Sequence, residues 1–186
     1  LGGRLETVIA GLVNRRASRL APDEGLRFLF RLEANLYPLV GRLSVRYGGG
    51  VHTKHRHTRY HDFFVNRLEV GERVLEVGCG TGELAQDVAA RSGCAVTAME
   101  IDAGKIDSAR SRYPDSAVDW RVGDATRELP GEGFNVVILS NVLEHLTERD
   151  AFLRRLAEVT GAGRFLIRVP LFERDWRVPL KKELDV

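Results

Sequence analysis

The twelve residues Val74-Leu75-Glu76-Val77-Gly78-Cys79-Gly80-Thr81-Gly82-Glu83-Leu84-Ala85 (VLEVGCGTGELA) decide how this 186-residue chain folds. The first four form a short apolar run bounded by glycine, the pattern of a buried strand. Three glycines follow at alternate positions, which lets the backbone turn sharply and approach a ligand with no Cβ in the way. Leu84 and Val88 then recur at helical spacing, so a helix opens over roughly residues 83–91. Its first amides point back at whatever the glycine loop holds.

The alternation continues downstream. Residues 95–99 read as a second strand, and Asp102 is placed to cap a helix carrying Ile106, Ala109 and Tyr113. Residues 118–122 read as a third strand, and 134–139 as a fourth, the most hydrophobic. Thr147-Glu148-Arg149-Asp150 resembles a capping box, opening a helix through Leu153, Leu156 and Val159 that Gly161 stops. Residues 164–169 form a fifth strand, closed by Pro170. Strands alternating with helices predict an α/β fold: a doubly wound, Rossmann-like, mostly parallel sheet with helices on both faces.

Upstream, residues 1–50 read as an N-terminal helical extension. Leu5, Val8, Ile9, Leu12 and Val13 mark a stripe expected to be buried, Pro22-Asp23-Glu24 opens a second helix, and Gly48-Gly49-Gly50 ends it. Residues 51–70 form a basic, histidine-rich segment, and 71–186 the sheet-bearing core. Hydrophobic residues at 44% and charged residues at 29% are ordinary for a soluble globular protein. The net charge of +2 is too small to argue for nucleic acid. No apolar run approaches the roughly 20 residues of a membrane helix, and no signal-peptide pattern opens the chain. Cys79 and Cys94 fit neither a disulfide framework nor a zinc pattern, so a reducing, cytoplasmic setting is expected. The chain opens on Leu1 rather than methionine and stops at Val186, which raises the expectation of a fragment.

In a sheet of this kind ligands bind at the carboxyl ends of the strands, where the strand order reverses. The second strand ends in Glu100, 22 residues after Gly78, where a carboxylate can accept from both hydroxyls of a ribose. The third ends in Gly123-Asp124-Ala125, where Asp124 can take the exocyclic amine of an adenine. Dinucleotide binding requires GxGxxG, but the pattern here is ExGxGxG. Glu76 would sit poorly beside a pyrophosphate and well beside an ammonium group such as that of a methionine moiety. That decides against NAD.

VLEVGCGTGELA, then AVTAMEID, VGDA and FNVVILSNVLEHL, together resemble class I S-adenosylmethionine-dependent methyltransferases over residues 70–170. The resemblance implies that Gly78, Gly80 and Gly82 line the aminocarboxypropyl group with Glu76 behind them. It implies that Glu100 holds the ribose hydroxyls, that Ile101 packs on the adenine, and that Asp124 with the Ala125 amide reads its edge. Ser140 would lie under the sulfonium, and Cys79 would be a small filler of the loop. The product would be S-adenosylhomocysteine.

Methyl transfer from a sulfonium is an in-line displacement, so alignment and exclusion of water matter most. A base is needed only where the acceptor must lose a proton. His145, just after the fourth strand, is the candidate; a helix-cap or packing histidine is the other reading. The stretch also resembles small-RNA 2′-O-methyltransferases, which bind a metal there. Here Asn141 stands at the first position and no histidine follows His145, so metal and RNA are disfavoured.

Four of the five histidines fall in HTKHRHTRYH, residues 52–61. His57 and His61 are spaced to share a helix face, but Lys54, Arg56 and Arg59 would repel a cation, so no metal is expected. A solvated basic face is one reading. The other comes from resemblance to a bacterial subgroup associated with glycan or cell-surface biosynthesis, which also shares the stretch from Ile167 to Trp176. There the segment is a lid: Phe63 and Phe64 anchor it, while Tyr60, His61 and the arginines face the pocket. A cationic lid suits an anionic acceptor. The same resemblance implies two further sheet strands after the fifth, for which residues 171–186 are too short. The reading is therefore a methyltransferase acting on a small-molecule or glycan-related acceptor, with a non-catalytic S-adenosylmethionine sensor or an RNA methyltransferase as the alternatives.

Overall fold

Strand β1 (Arg73–Val77) lies at the centre of a sheet completed by β2 (Ala95–Glu100), β3 (Asp119–Val122), β4 (Val136–Ser140) and β5 (Arg164–Arg168). The computed structural model describes residues 2–50, 52–131, 133–170 and 177–186. Along the chain the helices are α1 (Gly2–Ala17), α2 (Pro22–Tyr47), α3 (Thr53–Thr58) and α4 (Tyr60–Val65). They continue with α5 (Glu83–Ser92), α6 (Ala103–Arg112), α7 (Arg149–Thr160) and α8 (Arg177–Glu183). The chain divides into two compact units, Lys54–Pro170 and Leu1–Thr53 with Leu171–Val186.

In the first of these units all five strands are parallel, in the order β3-β2-β1-β4-β5. The order reverses between β1 and β4, which opens a crevice at their carboxyl ends. Strand side chains alternate between faces, and the two faces bury separate layers. Val74, Ile138 and Leu166 pack with Phe64 of α4, Leu84 and Val88 of α5, and Ile106 of α6. On the other face Leu75, Val137 and Leu139 pack with Phe152 and Leu156 of α7. Each fully buried side chain of this size contributes about 1.5–3 kcal/mol. The doubly wound parallel sheet expected from the sequence is therefore present.

Two local expectations change. α7 begins at Arg149 with Glu148 as its N-cap and no side-chain cap bond, so Thr147 closes no capping box. Arg149 Nε instead donates to the Leu143 and Leu146 carbonyls, tying the start of α7 to the turn before it. β4 begins at Val136 rather than at Phe134, because the Phe134 amide bonds the Thr160 carbonyl at the end of α7.

The helical unit is less buried than its pattern suggests. In α1, Leu5, Val8, Ile9 and Leu12 are exposed, between 52% and 63% of their surface, so the expected buried stripe is absent. A helix that packs on one neighbour leaves much of a broad apolar stripe uncovered. α8, which the sequence reading did not anticipate, is held to α2 by Arg177 and Lys181 on Glu33, and by Arg27 Nε donating to the Leu184 carbonyl. Among the described residues no helix is long and apolar enough to cross a membrane. The segment from 171 to 176, six of the ten residues in the second stretch shared with the glycan subgroup, lies outside the described residues.

Candidate functional site

The loop after β1 is held against β2, since the Gly78 and Cys79 amides both donate to the Met99 carbonyl, at 2.8 and 3.1 Å. Gly78, Gly80 and Gly82 all take positive φ, at 73°, 59° and 85°. Two of them are also sterically fixed. A Cβ on Gly78 would meet Val142 Cγ2 at 2.7 Å, and one on Gly82 would meet the Trp120 ring at 2.5 Å. A Cβ on Gly80 meets no protein atom, so the middle of the loop faces open space.

Glu76 lies beneath this loop, 3% exposed, and one of its oxygens has no hydrogen-bond partner among the described residues. Burial pushes its pKa up to about 8, and the Glu83 and Glu100 carboxylates add to the rise. An orphaned buried carboxyl oxygen is a costly feature that calls for a donor. Burial also pushes the Cys79 thiol up, with the same carboxylates adding, which removes thiolate chemistry and leaves it as a filler. Glu83 is held below the usual carboxylate range: burial works against this, but the Thr81 hydroxyl and Arg112 outweigh it.

A cleft of about 290 Å³ opens at the carboxyl ends of β1, β2 and β3. Glu100, Ile101, Asp124, Ala125 and His145 all line it. Glu100 Oε2 accepts from the Gly80 amide at 3.0 Å and Oε1 from the Asp102 amide at 3.2 Å. Glu100 is thus oriented by two backbone donors, with Lys105 Nζ 3.5 Å from Oε1, and of its roughly four acceptor positions some remain for a hydroxyl. Asp124 Oδ1 accepts from the Thr126 amide and hydroxyl, which hold its pKa low. Ile101 is 66% exposed, an apolar surface that suits the face of a base. Ser140 ends β4, half-buried, and His145 lies in a 3₁₀ turn (Leu143–His145).

The histidine stretch does not form one helix. Arg59 takes φ +49°, which breaks it into α3 and α4, so His57 and His61 do not share a helix face. His61 is buried, with Nδ1 3.0 Å from Asp87 Oδ2 on α5 and Nε2 2.8 Å from His55 Nδ1. Burial pushes its pKa down, against the pull of Asp87, so at neutral pH the contact is a hydrogen bond to a neutral ring rather than an ion pair. Phe64 is fully buried, while Phe63 stays partly exposed under the Arg67 guanidinium. The Tyr60 ring meets the edge of His61, centroids 4.5 Å apart, and lies 4.4 Å from the Arg168 guanidinium. Burial pushes its hydroxyl up to about 12, with Glu76 and Glu83 adding and Arg168 opposing. Among the described residues no group of His, Cys, Asp or Glu side chains gathers as metal ligands.

Arg168 and Asn141 escaped the sequence reading as site residues. The available signal was a cation ending the fifth strand, opposite Ser140 in the β4–β5 register. Met99, Val142 and Phe152, which also line the cleft, carry no local signal in the sequence that marks them as site residues.

Comparison with known proteins agrees with this geometry. Residues 74–163 match a family profile described as a methyltransferase domain. Over 91 residues the chain is 37% identical to an uncharacterized methyltransferase of Mycobacterium tuberculosis, covering 48% of this chain and 46% of that protein. Over 109 residues it is 31% identical to a ubiquinone biosynthesis O-methyltransferase of Rhodopseudomonas palustris, covering 58% and 42%. The chain thus spans less than half the length of these relatives. A methyltransferase from Thiobacillus denitrificans, solved with S-adenosyl-L-homocysteine, superposes with a TM-score of 0.52 at 22% identity, over 59% of this chain and 47% of that one.

Proposed function

We propose that this chain, whose fold is that of class I S-adenosylmethionine-dependent methyltransferases, methylates a small-molecule or glycan-related acceptor at oxygen or nitrogen. The observation that carries the reading is Glu76, a buried carboxyl with an orphaned oxygen under a glycine loop whose middle faces open space. That pairing fits the ammonium and chain of a methionine moiety, and it has no use for a pyrophosphate. Glu100 and Asp124, each pre-oriented by backbone amides, fit a ribose and an adenine edge.

When bound, S-adenosylmethionine supplies an electrophilic methyl carbon on a sulfonium. The residues of this chain do the rest. Gly78, Gly80 and Gly82 let the backbone approach the aminocarboxypropyl group, and Glu76 accepts from its ammonium. Glu100 holds the ribose, while Ile101, Asp124 and Ala125 hold the base. Ser140 lies at the end of the strand beside β1, where the methyl would point. Tyr60, carried by a segment anchored through Phe64 and His61, shields that point from water. Exclusion of water and alignment of the acceptor are the main demands of an in-line displacement. His145, on the cleft wall, is the proposed base for acceptors that must lose a proton. The Rhodopseudomonas relative, named as an O-methyltransferase, supports an oxygen acceptor.

The test is calorimetric titration with S-adenosylmethionine and with NAD, followed by S-adenosylhomocysteine release across pools of hydroxyl and amine acceptors. S-adenosylmethionine should bind, NAD should not, and turnover should follow with at least one pool. Binding without turnover on any pool favours a sensor, and NAD binding in its place removes the reading. In the same assay His145→Ala should lower turnover by about 10²- to 10⁴-fold, the usual contribution of a positioned base. Full turnover by the folded variant excludes that role.

A further inference from the structure

Strand alternation places Glu76 of β1, Ser140 of β4 and Arg168 of β5 on the face of the sheet that also packs Phe64 and Tyr60. Arg168 lies opposite Ser140 in register, two strands from the glycine loop. At about 4.8 Å per strand, that is roughly 10 Å to the acceptor side of β1.

Its guanidinium is held by neutral groups, with no carboxylate partner among the described residues. The carbon sits 4.4 Å from the Tyr60 ring centroid, and one terminal nitrogen donates to Asn141 Oδ1 at 2.8 Å. Asn141 is fixed in turn: it takes φ +58°, and its amide donates to the Arg168 carbonyl at 2.8 Å. Both partners are neutral. Arg91, Arg112 and Arg164 each pair with a carboxylate, whereas Arg168 forms no ion pair among the described residues. The ring contact at the guanidinium carbon takes up no polar acceptor, and one bond to Asn141 consumes one of five N–H donors. What remains is a fork that suits two oxygens of a carboxylate or phosphate.

We propose that Arg168, backed by Tyr60 and oriented by Asn141, binds an oxyanion, a carboxylate or phosphate group, on the acceptor side of the pocket. This rests on the methyltransferase reading above and adds the charge of its ligand. One face of the sheet then carries opposite poles, Glu76 for a cation and Arg168 for an anion, beside the cleft rather than in its lining. Two groups carry the required chemistry: an anionic group on the acceptor and the carboxylate of the cofactor itself. The distance of Arg168 from β1 favours the acceptor.

The experiment uses the full chain, as wild type, Arg168→Gln, Arg168→Lys and the control Arg121→Gln, an exposed arginine on β3 paired with Asp119. Folding is checked by circular dichroism. Inorganic pyrophosphate is titrated into protein saturated with S-adenosylhomocysteine. S-adenosylhomocysteine and its decarboxylated analogue are titrated separately. Expected is saturable pyrophosphate binding by wild type and Arg121→Gln, weakened at least about tenfold in Arg168→Gln, since a charge-assisted hydrogen bond is lost. Arg168→Lys, which keeps the charge but not the fork, should fall between. A tenfold loss for S-adenosylhomocysteine that spares the decarboxylated analogue supports the oxyanion site and assigns it to the cofactor. Pyrophosphate and S-adenosylhomocysteine affinities that are unchanged in Arg168→Gln overturn the proposal. Failure of wild type to bind S-adenosylhomocysteine at all counts against the methyltransferase reading instead.

Discussion

Glu76→Gln is expected to stabilise the ligand-free protein above neutral pH and to weaken S-adenosylmethionine binding roughly 10- to 100-fold. The two effects share one cause. Burial lifts the Glu76 pKa from 4.5 to about 8 in the fold. Between those values the folded state keeps a proton that the unfolded state releases. Because the folded state binds more protons there, stability falls as pH rises, by about 1.4 kcal/mol per unit at the steepest. The contribution is fully present below about pH 4.5 and gone above about pH 8. Glutamine does not titrate, so the variant escapes this decline and should melt higher at pH 8–9. The ligand reverses the balance. An ammonium placed against the orphaned oxygen favours the carboxylate, so binding at pH 7 should release close to one proton, and binding at pH 9 almost none. Calorimetry in buffers of different ionisation enthalpy reads this directly. Equal affinity in Glu76→Gln, with no proton released by wild type, would remove Glu76 from the cofactor site.

That inversion explains why the site was partly legible in the sequence. A glutamate inside an otherwise apolar strand is a local conflict, and such conflicts concentrate where ligands bind. The strand, the glycine loop, Glu100 and Asp124 follow from local patterns, because each lies in or just after a short strand that the alternation with helices marks out. The parts that stayed hidden depend on distance in space. Arg168 gains meaning from Tyr60, 108 residues earlier, and from Asn141, 27 residues earlier. No local pattern carries either pairing. The histidine stretch misled in a different way. Its spacing suggested a helix face shared by His57 and His61, but Arg59 breaks the helix with a left-handed residue. His61 is then free to face Asp87 of α5, 26 residues on. In α1 the periodicity was real and the helix formed, yet Leu5, Val8, Ile9 and Leu12 are exposed. Periodicity reports the helix, and burial of its stripe depends on what else packs there.

Alanine at Gly82 and at Gly80 should fail in opposite ways, and the contrast tests whether the loop is a cofactor cradle or merely a turn. At Gly82 the backbone takes φ +85°, and a Cβ would lie 2.5 Å from the Trp120 ring and 3.0 Å from Ala109 Cβ. Trp120 is buried and stacks near Tyr113, so it has little room to yield. Left-handed strain of about 1–2 kcal/mol adds to overpacking of about 1–3 kcal/mol. The melting temperature should therefore drop by roughly 10 °C, at a few degrees per kcal/mol. Gly80 takes φ +59°, and its Cβ meets nothing within 4 Å. Alanine there carries the strain alone, keeps the amide that orients Glu100, and should melt within about 5 °C of wild type. Its methyl group instead projects into the open side of the loop, where the aminocarboxypropyl chain is proposed to lie. Binding of S-adenosylmethionine should fall at least about tenfold, because the added carbon displaces a ligand seated against backbone. Thermal melts with and without cofactor separate the cases. Gly82→Ala should lose stability in both. Gly80→Ala should lose only the rise that the cofactor gives to wild type, and a full rise in that variant would mean that the loop does not cradle the cofactor.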